Sequence, residues 1–169
     1  MDPSSESSGV VMEFKCTTAV VILSVSLFIS DVISDVCQQR LCICDNKTGF
    51  VNCSRNGLTG VPAGIPLNTT DLDLSMNNLH KISSSAFKKF VNLTSIDLSS
   101  NMIGINGMEA KTLDLPKLVT VDLSYNNMTS FPRSVLPKSL TKLYFMQNYM
   151  PEIDASAFVD TPSLEYLDL

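Results

Sequence analysis

The sequence predicts an α/β solenoid. A curved parallel sheet lines its concave face, an irregular or short-helix return forms its convex face, and a disulfide-stapled cap closes its N-terminal end. Three observations carry this reading. The pattern LxxLxLxxNxL occurs four times, with central positions at Leu72, Ile96, Val121 and Leu143, and a fifth copy begins at Leu164 with its central position at Leu167. The periods between these positions are 24, 25, 22 and 24 residues, and self-similarity at such a period is the mark of a repeat architecture. Four cysteines, Cys37, Cys42, Cys44 and Cys53, precede the first copy within 17 residues.

Residues 1–34 read as a secretory signal peptide. Ala19 to Ile29 is an apolar run of eleven residues, short for a membrane span and suitable for an h-region. Val32-Ile33-Ser34 ends on a small residue, which places cleavage after Ser34. The preceding segment is unusually acidic, with Asp2, Glu6 and Glu13 against Lys15, and Met12 offers an alternative start to Met1. An uncleaved signal anchor is the competing reading.

Residues 35–66 read as the cysteine-rich cap. Cleavage removes Cys16 and leaves an even set of four cysteines, which in a secreted chain reads as two disulfides. Four cysteines allow three pairings, and spacing does not choose between them. A zinc site is the rival, but no histidine lies near and the secretory route favours oxidation.

Residues 67–169 read as the repeats, four complete and one truncated. Each LxL core alternates apolar and polar positions with period two, as a strand with one buried face does. Successive turns then stack these strands in parallel, about 4.8 Å apart. The return through Ile82, Phe87, Phe90 and Leu93 suits a short helix or an irregular turn. The return from Ile105 to Leu118 carries Met108, Leu113 and Leu115 instead, and Ile153 and Phe158 reopen the first pattern. The 22-residue repeat holds Pro132 and Pro137 between Phe131 and Leu140, so an extended or polyproline-like return is expected there. Asn77, Asn101, Asn126 and Asn148 recur at one place. A buried amide must find partners, so they are read as a structural column bonding the turn where each strand ends. One repeat cannot bury its own apolar edge, so both ends need caps. Leu169 falls in mid-strand, and the chain is therefore expected to be a fragment whose further domains, including any membrane anchor, lie beyond it.

These residues resemble a family. The cysteine cluster followed by Asn52-Cys-Ser-Arg-Asn-Gly57-Leu58-Thr-Gly-Val61-Pro62-Ala-Gly-Ile65-Pro66 resembles the N-terminal cap of extracellular leucine-rich repeat proteins. That resemblance implies the pairing Cys37–Cys44 and Cys42–Cys53, although this chain has four residues between its first two cysteines where three are common. The repeats resemble those of Toll-like receptors, small leucine-rich proteoglycans, Slit-like guidance proteins and lamprey variable lymphocyte receptors. Mixing 24-residue repeats with a shorter Leu-Pro-Lys-Ser-Leu repeat is similar to proteoglycans and some Toll-like ectodomains. The resemblance covers residues 37–169 and implies a leucine-rich repeat solenoid outside the cell.

Function in such a solenoid is expected on the polar strand positions of the concave face. The column after each central position reads Asp73, Asp97, Asp122, Tyr144, Asp168. Three stacked aspartates should raise one another's pKa values. They suit a basic partner or a calcium ion, while the plainer reading is that Leu-Asp-Leu is the usual filling of this repeat. Large side chains gather toward the C-terminal end, in Tyr125, Lys142, Tyr144, Met146 and Tyr166. Exposed aromatic residues are common anchors of protein interfaces, so this patch is the candidate ligand surface. A surface that meets further repeats, or a dimer through the repeats, is the alternative for the same patch.

Five Asn-x-Ser/Thr sequons occur. Asn46, Asn68, Asn92 and Asn127 are the candidate glycan carriers, and Asn52, with Cys53 as its middle residue, is the least suited. The net charge is −5, or −2 after cleavage, and no basic stripe marks a nucleic-acid surface. Catalysis finds no support. His80 is the single histidine and leaves the strand face, and no metal-ligand cluster or phosphate-binding loop is present in the sequence, so no cofactor is expected. The reading is a non-enzymatic recognition module, secreted or at the cell surface, that binds a protein or another macromolecule. Toll-like innate immune sensing is the leading case, and a matrix protein of the proteoglycan kind that binds collagen is the alternative.

Overall fold

The computed structural model describes residues 35–154 and 156–169. The expected signal peptide lies outside the described residues. Seven three-residue strands form one sheet in chain order: β1 (Ile43–Asp45), β2 (Phe50–Asn52), β3 (Asp71–Asp73), β4 (Ser95–Asp97), β5 (Thr120–Asp122), β6 (Lys142–Tyr144) and β7 (Tyr166–Asp168). β1 and β2 are an antiparallel hairpin, and every later pair is parallel. The register aligns Val51, Leu72, Ile96, Val121, Leu143 and Leu167 in one row. A parallel pair cannot close through a tight hairpin, so each turn of chain must cross over the core before the next strand begins.

The strands are short because only their central residue turns inward. From β3 to β5 the central side chain is buried and its two neighbours are half-exposed. Behind this row lies a second, Leu74, Leu98, Leu123 and Phe145, each essentially without solvent contact. Leu79, Ile103 and Met128 form a third row where the chain turns away. Each fully buried side chain of this size contributes about 1.5–3 kcal/mol from burial, so stacking supplies what a single turn lacks.

The returns take the irregular option, with no helix among the described residues. In the first, isolated turns bond Ala86 N to Ser83 O, Phe90 N to Phe87 O, and Leu93 N to Phe90 O. These turns seat Ile82, Phe87, Phe90 and Leu93 in the core. Met108, Leu113 and Leu115 fill the same layer in the next return.

The proline-containing return differs from its expected extended form. Val135 N bonds Pro132 O at 3.1 Å and Leu140 N bonds Pro137 O at 3.2 Å, so it is a series of tight turns. The cause is packing. Val135, Leu136 and Leu140 must all reach the core within a shortened repeat, and an extended run would turn alternate residues to solvent. Phe131 anchors this stretch, its ring 5.9 Å from Phe145 and 5.1 Å from Phe158.

The asparagine column is structural, as read. The Asn101 amide donates to Leu74 O, Leu98 O and Ser99 O, and its oxygen accepts Leu79 N–H at 3.0 Å. Asn126 repeats the arrangement one turn on, with Ile103 N–H as its donor. Each asparagine thus links two turns through backbone groups that would otherwise be buried without partners.

The cap disulfides are Cys37–Cys44 and Cys42–Cys53, the pairing that the resemblance implied. Both bonds take up all four sulfurs, which leaves no thiolate for a zinc ion. The cap also holds a repeat turn that the sequence count missed. Val51-Asn52-Cys53-Ser54-Arg55-Asn56 runs parallel to Leu72-Asp73-Leu74-Ser75-Met76-Asn77, with Cys53 N bonded to Asp73 O and Arg55 N to Ser75 O. Cys53, fully buried, stands where the repeats place leucine.

Candidate functional site

The open face of the sheet carries two columns of side chains flanking the buried row. The first reads Phe50, Asp71, Ser95, Thr120, Lys142 and Tyr166; the second reads Asn52, Asp73, Asp97, Asp122, Tyr144 and Asp168. Strand alternation alone puts these residues on one face. Phe50, 39% exposed, heads the first column and was absent from the sequence-based site because the cap strand was not counted as a turn.

The aspartates do local work on this face. Asp73, Asp97 and Asp122 each accept the backbone N–H two residues on, at Ser75, Ser99 and Ser124, all at 2.8 Å. Asn52 does the same for Ser54 at 2.9 Å. This side-chain bond fixes the backbone as it leaves the strand, and it needs only an oxygen at that position. The pKa of Asp97, the middle carboxyl, is raised. Burial pushes it up, the hydrogen bonds from Ser99 oppose, and the charges of Asp122 and Asp73 add to the rise. The three aspartates stand half-exposed in a row, with each carboxylate already holding a backbone donor.

The other half of the face is aromatic. The Tyr144 and Tyr166 rings lie 5.3 Å apart, tilted by 52°. Asp168 beside Tyr166 pushes its phenol up, so the hydroxyl stays protonated through neutral pH. Lys142 is exposed on the same strand as Tyr144, and Met146 is half-buried just beyond it. Tyr125 stands apart from this group. It occupies the turn where β5 ends, at a φ of 56°, and donates its N–H to Met146 O at 2.7 Å. Met76, Ser100 and Gln147 hold the same left-handed position in their own turns. The structure therefore joins Lys142, Tyr144 and Tyr166 on the strands and places Tyr125 on the exit edge.

His80 sits on that exit side, exposed, with Nδ1 2.9 Å from Asn78 O. On the return side a shallow groove interleaves Lys111, Arg133 and Lys138 with Asp114 and Asp160, so neither sign of charge dominates it. The sequons divide between the two edges of the sheet. Asn46, Asn68 and Asn92 precede β2, β3 and β4, and Asn127 follows β5. Asn46, Asn68 and Asn127 are exposed, while Asn92 is half-buried and accepts Lys117 Nζ at 2.8 Å. The Asn52 oxygen is held by both the N–H and the hydroxyl of Ser54.

Comparison with known proteins matches this architecture. Residues 67–127 and 116–169 match the family described as Leucine rich repeat. Lumican of Gallus gallus is 35% identical over 114 residues, covering 68% of this chain and 33% of lumican. Leucine-rich repeat-containing protein 3 of Danio rerio is 32% identical over 140 residues, covering 83% of this chain and 50% of that protein. Keratocan of Danio rerio is 28% identical over 106 residues, covering 63% of this chain and 30% of keratocan. The match thus spans 30% to 50% of the length of these relatives.

Proposed function

The chain belongs to the leucine-rich repeat family, and we propose that it is the recognition module of an extracellular protein, binding a protein partner on the open face of its sheet. The observation that carries this reading is the Tyr144–Tyr166 pair, with Lys142 beside it, on solvent-facing strand positions. Paired aromatic rings offer a large rigid contact area at little cost in side-chain freedom. The two cap disulfides support an oxidising compartment, secreted or at the cell surface. The aspartates Asp73, Asp97 and Asp122 set the backbone of their turns and give that half of the face its negative sign. Asn46, Asn68, Asn92 and Asn127 are the sites where such a protein would carry glycans.

Between the two kinds of parent protein, the matrix reading is the better supported. Lumican and keratocan stand among the relatives, and they fall on the proteoglycan side of the resemblance. The Toll-like reading rests on the repeat pattern alone. Fibrillar collagen is therefore the first partner to test. The secreted full chain is expected to co-sediment with reassembled collagen fibrils, and Tyr144→Ala with Tyr166→Ala to lose at least about tenfold in affinity, as for a central aromatic anchor. Lack of co-sedimentation would reject collagen as the partner. Equal binding by the variant would reject the tyrosine face as the site.

A further inference from the structure

We propose that Asn127 carries an N-linked glycan whose first sugars cover an apolar strip on the exit edge of the sheet. The proposal rests on the extracellular reading and deepens it. On that edge, one residue of each turn donates its N–H to the turn before. Asn78 bonds Leu58 O, Met102 bonds Leu79 O, Asn127 bonds Ile103 O, and Tyr149 bonds Met128 O, at 2.8, 2.9, 3.0 and 2.8 Å. Met102, Asn127 and Tyr149 are therefore successive rungs of one ladder. Met102 is 42% exposed, Tyr149 70%, and Tyr125, two residues before Asn127, 54%. Exposed apolar side chains thus flank Asn127 along the ladder, and Asn127 is the one rung that lies in a sequon, so a sugar there would cover them.

The two adjacent asparagines divide the chemistry between them. Asn126 is buried, with its amide and its oxygen bound to backbone groups of neighbouring turns. Asn127 is exposed, and its carboxamide has no hydrogen-bond partner among the described residues. Thr129, also exposed, completes the sequon. Transfer joins the Asn127 Nδ2 nitrogen to the anomeric carbon of a lipid diphosphate-linked oligosaccharide. The anomeric C–O bond breaks, its electron pair leaves with the lipid diphosphate, and the nitrogen gives up one proton. The sugar then stands between Tyr149 and Met102, where the C–H faces of its ring pack on apolar surface.

The test uses the full chain made in a eukaryotic secretory host. Glycosidase treatment in heavy-oxygen water followed by peptide mass analysis reads each sequon. Asn127 is expected to be occupied. Thr129→Ala, which keeps Asn127 but removes the sequon, is expected to lose one glycan, bind more of a hydrophobic dye and self-associate. Met102→Ser with Tyr149→Ser in that background is expected to reverse both gains. Enzymatic trimming of the folded wild-type protein gives the same comparison without a substitution. Sugar on Asn46 or Asn68 with Asn127 bare would overturn the proposal while leaving the extracellular reading intact. Loss of the Asn127 glycan without a gain in dye binding would overturn the covering role. A secreted chain bare at every sequon would likewise overturn the proposal, while the extracellular reading, which rests on the disulfides, would stand.

Discussion

The side-chain oxygen of Asn77 accepts the backbone N–H of Asn56 at 3.0 Å, and it accepts the N–H of Leu58 at the same distance. Asn56 is itself the cap's counterpart of Asn77, so the asparagine column extends one turn into the disulfide-bonded segment. The cap is thus continuous with the repeats. Its strand β2 pairs in parallel with β3, and its antiparallel strand β1 closes the end of the sheet. An exposed solenoid edge is a liability, and a short hairpin locked by two disulfides ends it.

This continuity makes each asparagine a rivet between turns. Asn101→Ala removes one acceptor and three donor contacts in a buried setting; the carbonyls of Leu74 and Leu98 keep the amides of Asn77 and Asn126, but the N–H of Leu79 is left without its acceptor. A loss of about 1–3 kcal/mol is expected, the cost of stranding one buried backbone N–H. Urea unfolding followed by circular dichroism measures it. A loss under about 0.5 kcal/mol, typical of a neutral surface change, would mean the column does not hold the turns.

The two disulfides are expected to differ in importance. Cys42 and Cys53 are buried and tie the hairpin to the core, whereas Cys37 and Cys44 are half-buried. Replacing Cys42 and Cys53 by Ala should cost roughly 2–4 kcal/mol, and more than replacing Cys37 and Cys44. Thermal unfolding of the two double variants ranks them. The reverse order would contradict the placement of Cys53 as a core residue of the first turn.

Asp97 gives a prediction with a definite sign in pH. Its carboxyl is raised by burial first and then, against its hydrogen bonds, by Asp122 and Asp73. The folded chain therefore holds this proton more tightly than the unfolded chain. The corresponding stability is present below the ordinary carboxylate range and is lost as pH rises through the raised folded value. Asp97→Asn keeps the oxygen that accepts Ser99 N–H, as Asn52 does for Ser54. The variant should be more stable at neutral pH, and the difference should close in acid. A variant less stable than wild type at neutral pH would show that the carboxylate is needed there.

Much of this fold was legible because leucine, asparagine and aspartate recur at fixed spacing, and each has a single physical task. Leu72, Ile96 and Val121 point inward, Asn77 and Asn101 close turns, and Asp73 and Asp97 set the strand exits. The turn inside the cap was hidden because Val51 and Cys53 replace the leucines, and a cysteine in that setting reads first as a disulfide partner. The returns were ambiguous for another reason. The spacing of Ile82, Phe87, Phe90 and Leu93 is met equally by a short helix and by separate turns, and packing chose the turns. The aromatic half of the face was visible as a column, but only the structure separates Tyr125, on a left-handed turn, from the Tyr144–Tyr166 pair. The free carboxamide of Asn127 beside the bonded one of Asn126 has no sequence signal beyond the sequon itself.

The central claim is that the aromatic half of the open face recognises a protein outside the cell. Co-sedimentation of the secreted full chain with collagen fibrils, wild type against Tyr144→Ala with Tyr166→Ala, tests it most directly. The account predicts that wild type pellets with the fibrils while the folded variant, with an unchanged far-ultraviolet spectrum, stays in solution. Equal pelleting of the two proteins would contradict it.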